Sequence, residues 1–156
     1  MNTHVENSYR EAKESDLPIL INMLVDDQLG ADREDSSLPL NSAYIHAFNS
    51  IHHDPNNELI VVENENKIIG MLQLTFIPYL SHTGAWRCLI ESVRVHKDYR
   101  NKGIGSLIFK WAIQRAKEKE CYMVQLTSNK ERSSAIRFYK KLGFNPSHEG
   151  FKLILK

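Results

Sequence analysis

The stretch Arg100-Asn101-Lys102-Gly103-Ile104-Gly105 holds two cations and two glycines in six residues. Apolar residues at helical spacing follow: Ile104, Leu107, Ile108, Trp111 and Ala112, with Arg115 on the same stripe. A helix that begins here leaves its first N–H groups without intrahelical acceptors, and its dipole makes that end positive. Glycine lets the backbone approach a ligand with no Cβ in the way. The chemistry on offer is the binding of a phosphate-bearing ligand, and a pyrophosphate fits. Two nucleotide signatures fail on spacing. A Walker loop needs Lys and then Ser or Thr after its last glycine, whereas Ser106-Leu107 follows Gly105. The dinucleotide fingerprint needs a third glycine at the position held by Ile108. Taken alone, the segment reads equally well as a tight strand-to-helix turn.

Other side chains have chemistry of their own. Glu91 lies mid-strand between Ile90 and Ser92, where a carboxylate is costly unless solvated or paired. It is a candidate general base, or a glutamate on a wet strand face, or the partner of Arg87 or Arg94. Tyr139 sits at apolar spacing between Phe138 and Leu142, which by itself describes a core tyrosine. Cys121 starts an apolar strand with no histidine near it in sequence, so a structural thiol is favoured over a nucleophile. His46, His52, His53 and Asp54 match no metal-ligand spacing, and no metal is expected. Tyr79 to Trp86, with His82, is an aromatic loop that either shapes a pocket or plugs the sheet edge with Trp86.

These residues need elements to hold them. Tyr9–Lys13 reads as a first strand. Ser15 or Asp16 is an N-cap for a helix that runs through Leu17, Leu20, Ile21 and Leu24 to about Asp27. Gly30–Asn41 is a loop, and Ser42–Ile51 a shorter helix. Leu59–Val62 and Ile68–Ile77, joined by a turn at Asn64–Asn66, predict an antiparallel hairpin. Cys88–Val95 is the next strand. With the helix from Ile104 and a strand at Tyr122–Leu126 it predicts a βαβ crossover. Ala135, Phe138, Tyr139 and Leu142 predict a helix that stops at Gly143. Phe151–Leu155 is expected to close the fold as a strand.

Two of these segments carry a resemblance. Arg100 to Gly105, after Val93-Arg94-Val95, resembles the cofactor motif Arg/Gln-x-x-Gly-x-Gly/Ala of the GNAT superfamily of N-acetyltransferases. Phe138-Tyr139-Lys140-Lys141-Leu142-Gly143-Phe144 is similar to that family's Phe-Tyr-x-x-x-Gly-Phe segment. Asn129, at the preceding strand end, is a third match, and the element order fits along nearly the whole chain. The fold implied is α/β: a mixed, mostly antiparallel central sheet with helices on both faces, as one domain over residues 1–156. The resemblance implies acetyl-CoA as co-substrate. Backbone groups from Val93 through Arg94 to Val95 would pair with its pantetheine arm like an added strand. Arg100, Asn101, Lys102, Gly103, Ile104 and Gly105, with Ser106, would cradle its pyrophosphate. Asn129 and Ser133 would contact the pantetheine, and Tyr139 would lie near the thioester sulfur as an acid. Glu91 would be the base, directly or through water. Simple alternation puts Glu91 on the face of Leu89 and Val93; a β-bulge near Ser92, frequent in the family, would break that parity.

Composition narrows the rest. Twenty Lys and Arg against nineteen Asp and Glu leave a formal charge of +1, so no global field draws the chain to nucleic acid or a membrane. Met1–Arg10 is polar and has no apolar leader core, and no apolar run reaches the ~20 residues of a span. Two cysteines in apolar stretches read as reduced core thiols, and the expected location is the cytoplasm. The leading expectation is acetyl transfer to a primary amine in a ternary complex. A non-catalytic acyl-CoA sensor and a CoA-independent interaction domain are the alternatives. A homodimer joined through Phe151–Leu155 and a monomer both stay open.

Overall fold

A computed structural model describes residues 6–27 and 30–155; the polar start at positions 1–5 lies outside them. Strand β1 (Ser8–Glu11) leads through a 3₁₀ turn (Glu14–Asp16) to helix α1 (Leu17–Val25) and then α2 (Ser42–His53). Strands β2 (Asn57–Asn64) and β3 (Lys67–Pro78) form the predicted hairpin. A four-residue turn α3 (Ser81–Gly84) precedes β4 (Trp86–Val95). A 3₁₀ turn (Lys97–Tyr99) then leads into α4 (Ile104–Glu118), β5 (Met123–Gln125) and α5 (Ser133–Lys141).

The sheet has the order β1-β2-β3-β4-β5. Its first four strands pair antiparallel, and β5 joins β4 in parallel through the α4 crossover. Each face buries a separate core. Ile60, Leu72, Leu74, Phe76, Cys88 and Ile90 pack under Ile108, Phe109, Ala112 and Ala116 of α4. Val61 and Met71 face the other way, against Leu17, Leu20, Ile21 and Phe48 of α1 and α2. Each Val, Leu, Ile, Phe or Met among them contributes roughly 1.5–3 kcal/mol when fully buried.

Details refine the expected elements. The buried stripe of α4 is rotated from the expected one, and Leu107 is 44% exposed. Arg115 lies beside that stripe with its guanidinium on the buried carboxylate of Glu58 at 2.6 Å, clamping α4 to β2. At Gly70 a Cβ would lie 2.9 Å from Ile108 Cδ1 and 3.0 Å from the Arg94 carbonyl, so glycine sets how closely α4 approaches β3. Asp16 does not cap α1 with its side chain. Its carboxylate accepts from Lys13 N and binds Arg10 instead, tying the 3₁₀ turn to β1. Helix α1 ends at Val25, two residues short of the expected stop, and that frees Asp26 and Asp27. Phe151–Leu155 is not a strand; Phe151, Leu153, Ile154 and Leu155 are exposed. An apolar pattern makes a strand only when an edge receives it, and β5 offers three residues.

Candidate active site

The site begins with an irregularity in β4. Met71 pairs with Arg94 and Gln73 with Glu91, so the single residue Leu72 faces both Ser92 and Val93. Ser92 has φ 52°, and the two-for-one count is a β-bulge. Cys88 and Ile90 before it and Val93 and Val95 after it therefore pack on the same core. Strict alternation would have grouped Val93 with Glu91. The bulge sends Glu91 to the opposite face, where it is exposed.

Beyond the bulge no strand among the described residues pairs with the outer edge of β4. The pairing of β4 with β5 stops at Leu89–Gln125. His96 N donates to Ile69 O at 2.8 Å, so by alternation Val95 and Val93 turn their own N–H and C=O groups away from β3. Two arginines meet the outward carbonyls. Arg94 Nη1 donates to Val93 O at 2.9 Å and Arg100 Nε to Val95 O at 3.0 Å.

This edge forms one wall of a cleft of about 650 Å³. Val25, Asp26 and Asp27 at the end of α1 form another, with Arg100 and Arg132 at its sides. Ion pairs cross it. Asp27 bridges Arg94 and Arg132, each at 3.3 Å. Asp26 takes Arg100 at 2.9 Å through its carboxylate and at 3.0 Å through its carbonyl. Burial lowers the pKa of Arg94, and Asp27 works against that; an arginine keeps its charge regardless. Arg94 Nε is buried without a hydrogen-bond partner. Three guanidinium groups against two carboxylates leave the cleft a local excess of positive charge.

The glycine turn follows Arg100 in the chain. Gly103 caps α4 with φ 79°, a left-handed conformation that side chains resist. Among the described residues no atom beyond its chain neighbours and its own helix backbone lies within 4 Å of where its Cβ would be, no side chain caps the helix, and its first turn carries no acid. The N–H groups at Ile104, Gly105 and Ser106 are thus the uncapped first turn of a fifteen-residue helix. Asn101 (φ 61°) and Lys102 are exposed beside it, with Lys102 Nζ 5.3 Å from the Tyr99 ring centre.

Other expected residues fall as follows. The Tyr139 ring sits among Phe109 (5.5 Å), Phe138 (5.6 Å) and Phe144 (6.3 Å). Burial raises its phenol pKa, and the charges of Arg132 and Arg94 act on it from the cleft side. Glu91 pairs with neither suggested arginine. Arg94 is on Asp27, and the Arg87 guanidinium lies 5.0 Å from the Tyr79 ring centre. Asn129 is closed on its own loop, its Oδ1 accepting from Glu131 N at 2.9 Å; Ser133 is exposed at the start of α5. Neither lines the cleft. Burial pushes the Cys88 thiol up to about 12 and raises the half-buried Cys121 too, so both stay protonated at neutral pH. His82 and Trp86 stand at the far end of β4 from the cleft, and Trp86 is 38% exposed, so it plugs nothing. Among the described residues no three His, Cys, Asp or Glu side chains converge on a metal position, and no helix is long and apolar enough to cross a membrane.

Sequence reasoning missed Asp26, Asp27 and Arg132. The helical pattern of α1 absorbed the aspartates, and their partners lie 67, 74 and 105 residues away.

The comparisons with known proteins follow the same geometry. The model of the acetyltransferase (GNAT) family matches residues 21–144. An aminoalkylphosphonate N-acetyltransferase of Salmonella typhimurium is 30% identical over 98 residues; the match covers 63% of this chain and 63% of that enzyme, under two thirds of its length. A crystal structure of a transcriptional regulator from Bacillus halodurans C-125 superposes with a TM-score of 0.92 at 51% identity, covering 96% of this chain and 100% of the other. Glucosamine-6-phosphate N-acetyltransferase from Arabidopsis thaliana shares the fold at a TM-score of 0.76 and 20% identity, over 97% of this chain and 99% of that one.

Proposed function

The chain belongs to the GNAT acetyltransferase family, and on that premise we propose that it transfers an acetyl group from acetyl-CoA to a primary amine by direct attack in a ternary complex. The observation that carries the reading is the outer edge of β4 in a positively charged cleft lined by Arg100, with the uncapped helix N-terminus at Gly103 three residues further along the chain. That combination suits a ligand with a polyanionic end and an amide-bearing arm. Acetyl-CoA has both, and supplies the activated thioester.

In this reading Asn101, Lys102, Gly103, Ile104, Gly105 and Ser106 hold the pyrophosphate through N–H groups and local charge. Arg100 joins them after leaving Asp26. Val93, Arg94 and Val95 hold the pantetheine, whose amides take the outward backbone groups in place of the two arginines. Asn129 offers its Nδ2 amide, since its Oδ1 already accepts from Glu131 N, and Ser133 offers an exposed hydroxyl.

The chemistry then needs two protons placed. An ammonium of pKa ~10.4 is no nucleophile, so Glu91 takes the proton of the amine, directly or through water. The amine nitrogen bonds to the thioester carbon and the C–S bond breaks. Tyr139 gives its proton to the departing sulfur, and its raised pKa keeps that proton in place at neutral pH. Outward N–H groups of β4 are the donors for the oxyanion. The relative that acts on aminoalkylphosphonates supports an amine as acceptor. The chain works as a single domain in the cytoplasm. Two copies pairing through the exposed Phe151–Leu155 would show in light scattering as twice the monomer mass.

Isothermal titration with acetyl-CoA, with ATP and NAD as controls, tests the donor. Binding of acetyl-CoA alone near 1 µM, about −8 kcal/mol, is expected. No binding would overturn the reading. A second reading, an acyl-CoA sensor without turnover, draws on the 51% identical protein described as a transcriptional regulator. Release of free CoA thiol in the presence of any primary amine excludes it.

A further inference from the structure

The sheet face that carries Glu91 changes character partway along. Under α1 and α2 it is apolar, with Val61 and Met71 buried. Two residues further along β3 it turns polar. Gln73 and Thr75 follow Met71 on that face, Asn57 flanks them on β2, and Glu91 is the register partner of Gln73 on β4. Glu91 and the cleft-lining Arg94 are three residues apart on one strand.

The hydrogen bonds in this row have a fixed direction. The Asp54 carboxylate only accepts, so the Asn57 group facing it at 2.6 Å must be the amide nitrogen. Asn57 Oδ1 then faces the other way. It accepts from Thr75 Oγ1 at 2.8 Å and from Gln73 Nε2 at 3.3 Å. One donor of each amide in the row is thereby used within it. Gln73 Oε1 and the Glu91 carboxylate are left outward, and among the described residues neither has a partner. Arg94 and Arg132 share Asp27 and line the adjoining cleft, so their excess charge lies on the cleft side of Glu91.

From this polarity we infer that the face is the acceptor subsite, and that it takes a cationic amine rich in N–H or O–H donors rather than one bearing a phosphonate or carboxylate. The inference rests on the proposed acetyl transfer for its use, but the binding it asserts is separable. An anionic group placed here meets the like charge of the Glu91 carboxylate beside the Gln73 carbonyl oxygen. An ammonium or hydroxyl meets two acceptors. Gln73 is the specificity-determining residue, and Asp54, two bonds away, sets which of its atoms points outward.

The test is calorimetric titration of the CoA-saturated protein with 1,4-diaminobutane and with 2-aminoethylphosphonate. The diamine should bind about tenfold tighter or better, since one compound finds acceptors and the other finds like charge. Gln73→Leu should weaken the diamine several-fold, and Gln73→Lys should reverse the preference, a gain that misfolding cannot produce. Affinity for CoA and the melting temperature should be unchanged in both variants. Equal or tighter binding of the phosphonate, no binding of either amine, or an unaltered preference in Gln73→Lys would overturn the inference. If CoA itself fails to bind, the proposed function falls, and the same titrations on the free protein still decide the subsite.

Discussion

The two walls of the cleft were built by different means. One is local: Arg100 lines it, and the chain runs on consecutively from there through the left-handed Gly103 into the uncapped first turn of α4. The other is assembled at long range, with Asp26 and Asp27 carried by the end of α1 to arginines on β4, on the turn and before α5. The local wall supplies positive potential, and the assembled wall holds it in check. A consecutive motif announces what a cleft attracts. Residues that converge from afar decide how strongly, and in what order, the attraction is released.

Several substitutions would sharpen or break that contrast. In Tyr139→Phe, kcat should fall about 100-fold, as for loss of a general acid, with acetyl-CoA affinity unchanged in titration. In the parent protein the alkaline limb of kcat should lie above the ordinary tyrosine value of about 10, because burial raises this phenol, and the variant should lose that limb. Equal turnover would remove Tyr139 from the chemistry. Arg100→Glu reverses a charge on the local wall, and acetyl-CoA affinity should drop about 30-fold with little change in urea midpoint. Asp27→Asn leaves Arg94 and Arg132 without their shared counter-charge, and stability should fall by about 1–2 kcal/mol in urea unfolding. A variant as stable as the parent would mean that the bridge is incidental. The smallest effect has the opposite sign. Asp26→Asn releases Arg100 from a half-exposed ion pair, and acetyl-CoA should bind about two- to fivefold tighter. Weaker binding would show that Asp26 orients Arg100 rather than competing for it.

What the sequence disclosed follows the same division. The crossover around α4, the stop at Gly143 (φ 93°) and the hairpin of β2 and β3 depend on neighbours in the chain, and all are present. The bulge at Ser92 was foreseen only through the resemblance, since no residue type there demands φ 52°. The buried clamp of Glu58 on Arg115 was half legible, because Arg115 stood on the expected apolar stripe of α4 whereas Glu58 lay just before the expected strand. Phe151–Leu155 failed in the other direction: a suitable strand pattern found no edge to complete it. Periodicity reports what a segment can bury, and is silent on whether a partner is there.

The arginines on the outer edge of β4 have a consequence beyond ligand binding. An unpaired strand edge is a template for any passing chain with free N–H and C=O groups. Here the Val93 and Val95 carbonyls already accept from guanidinium groups, which stand where a neighbouring strand would donate. A second copy approaching edge-on would meet two positive charges, with carbonyls already in use. The same two bonds thus blunt this edge as a template for another strand.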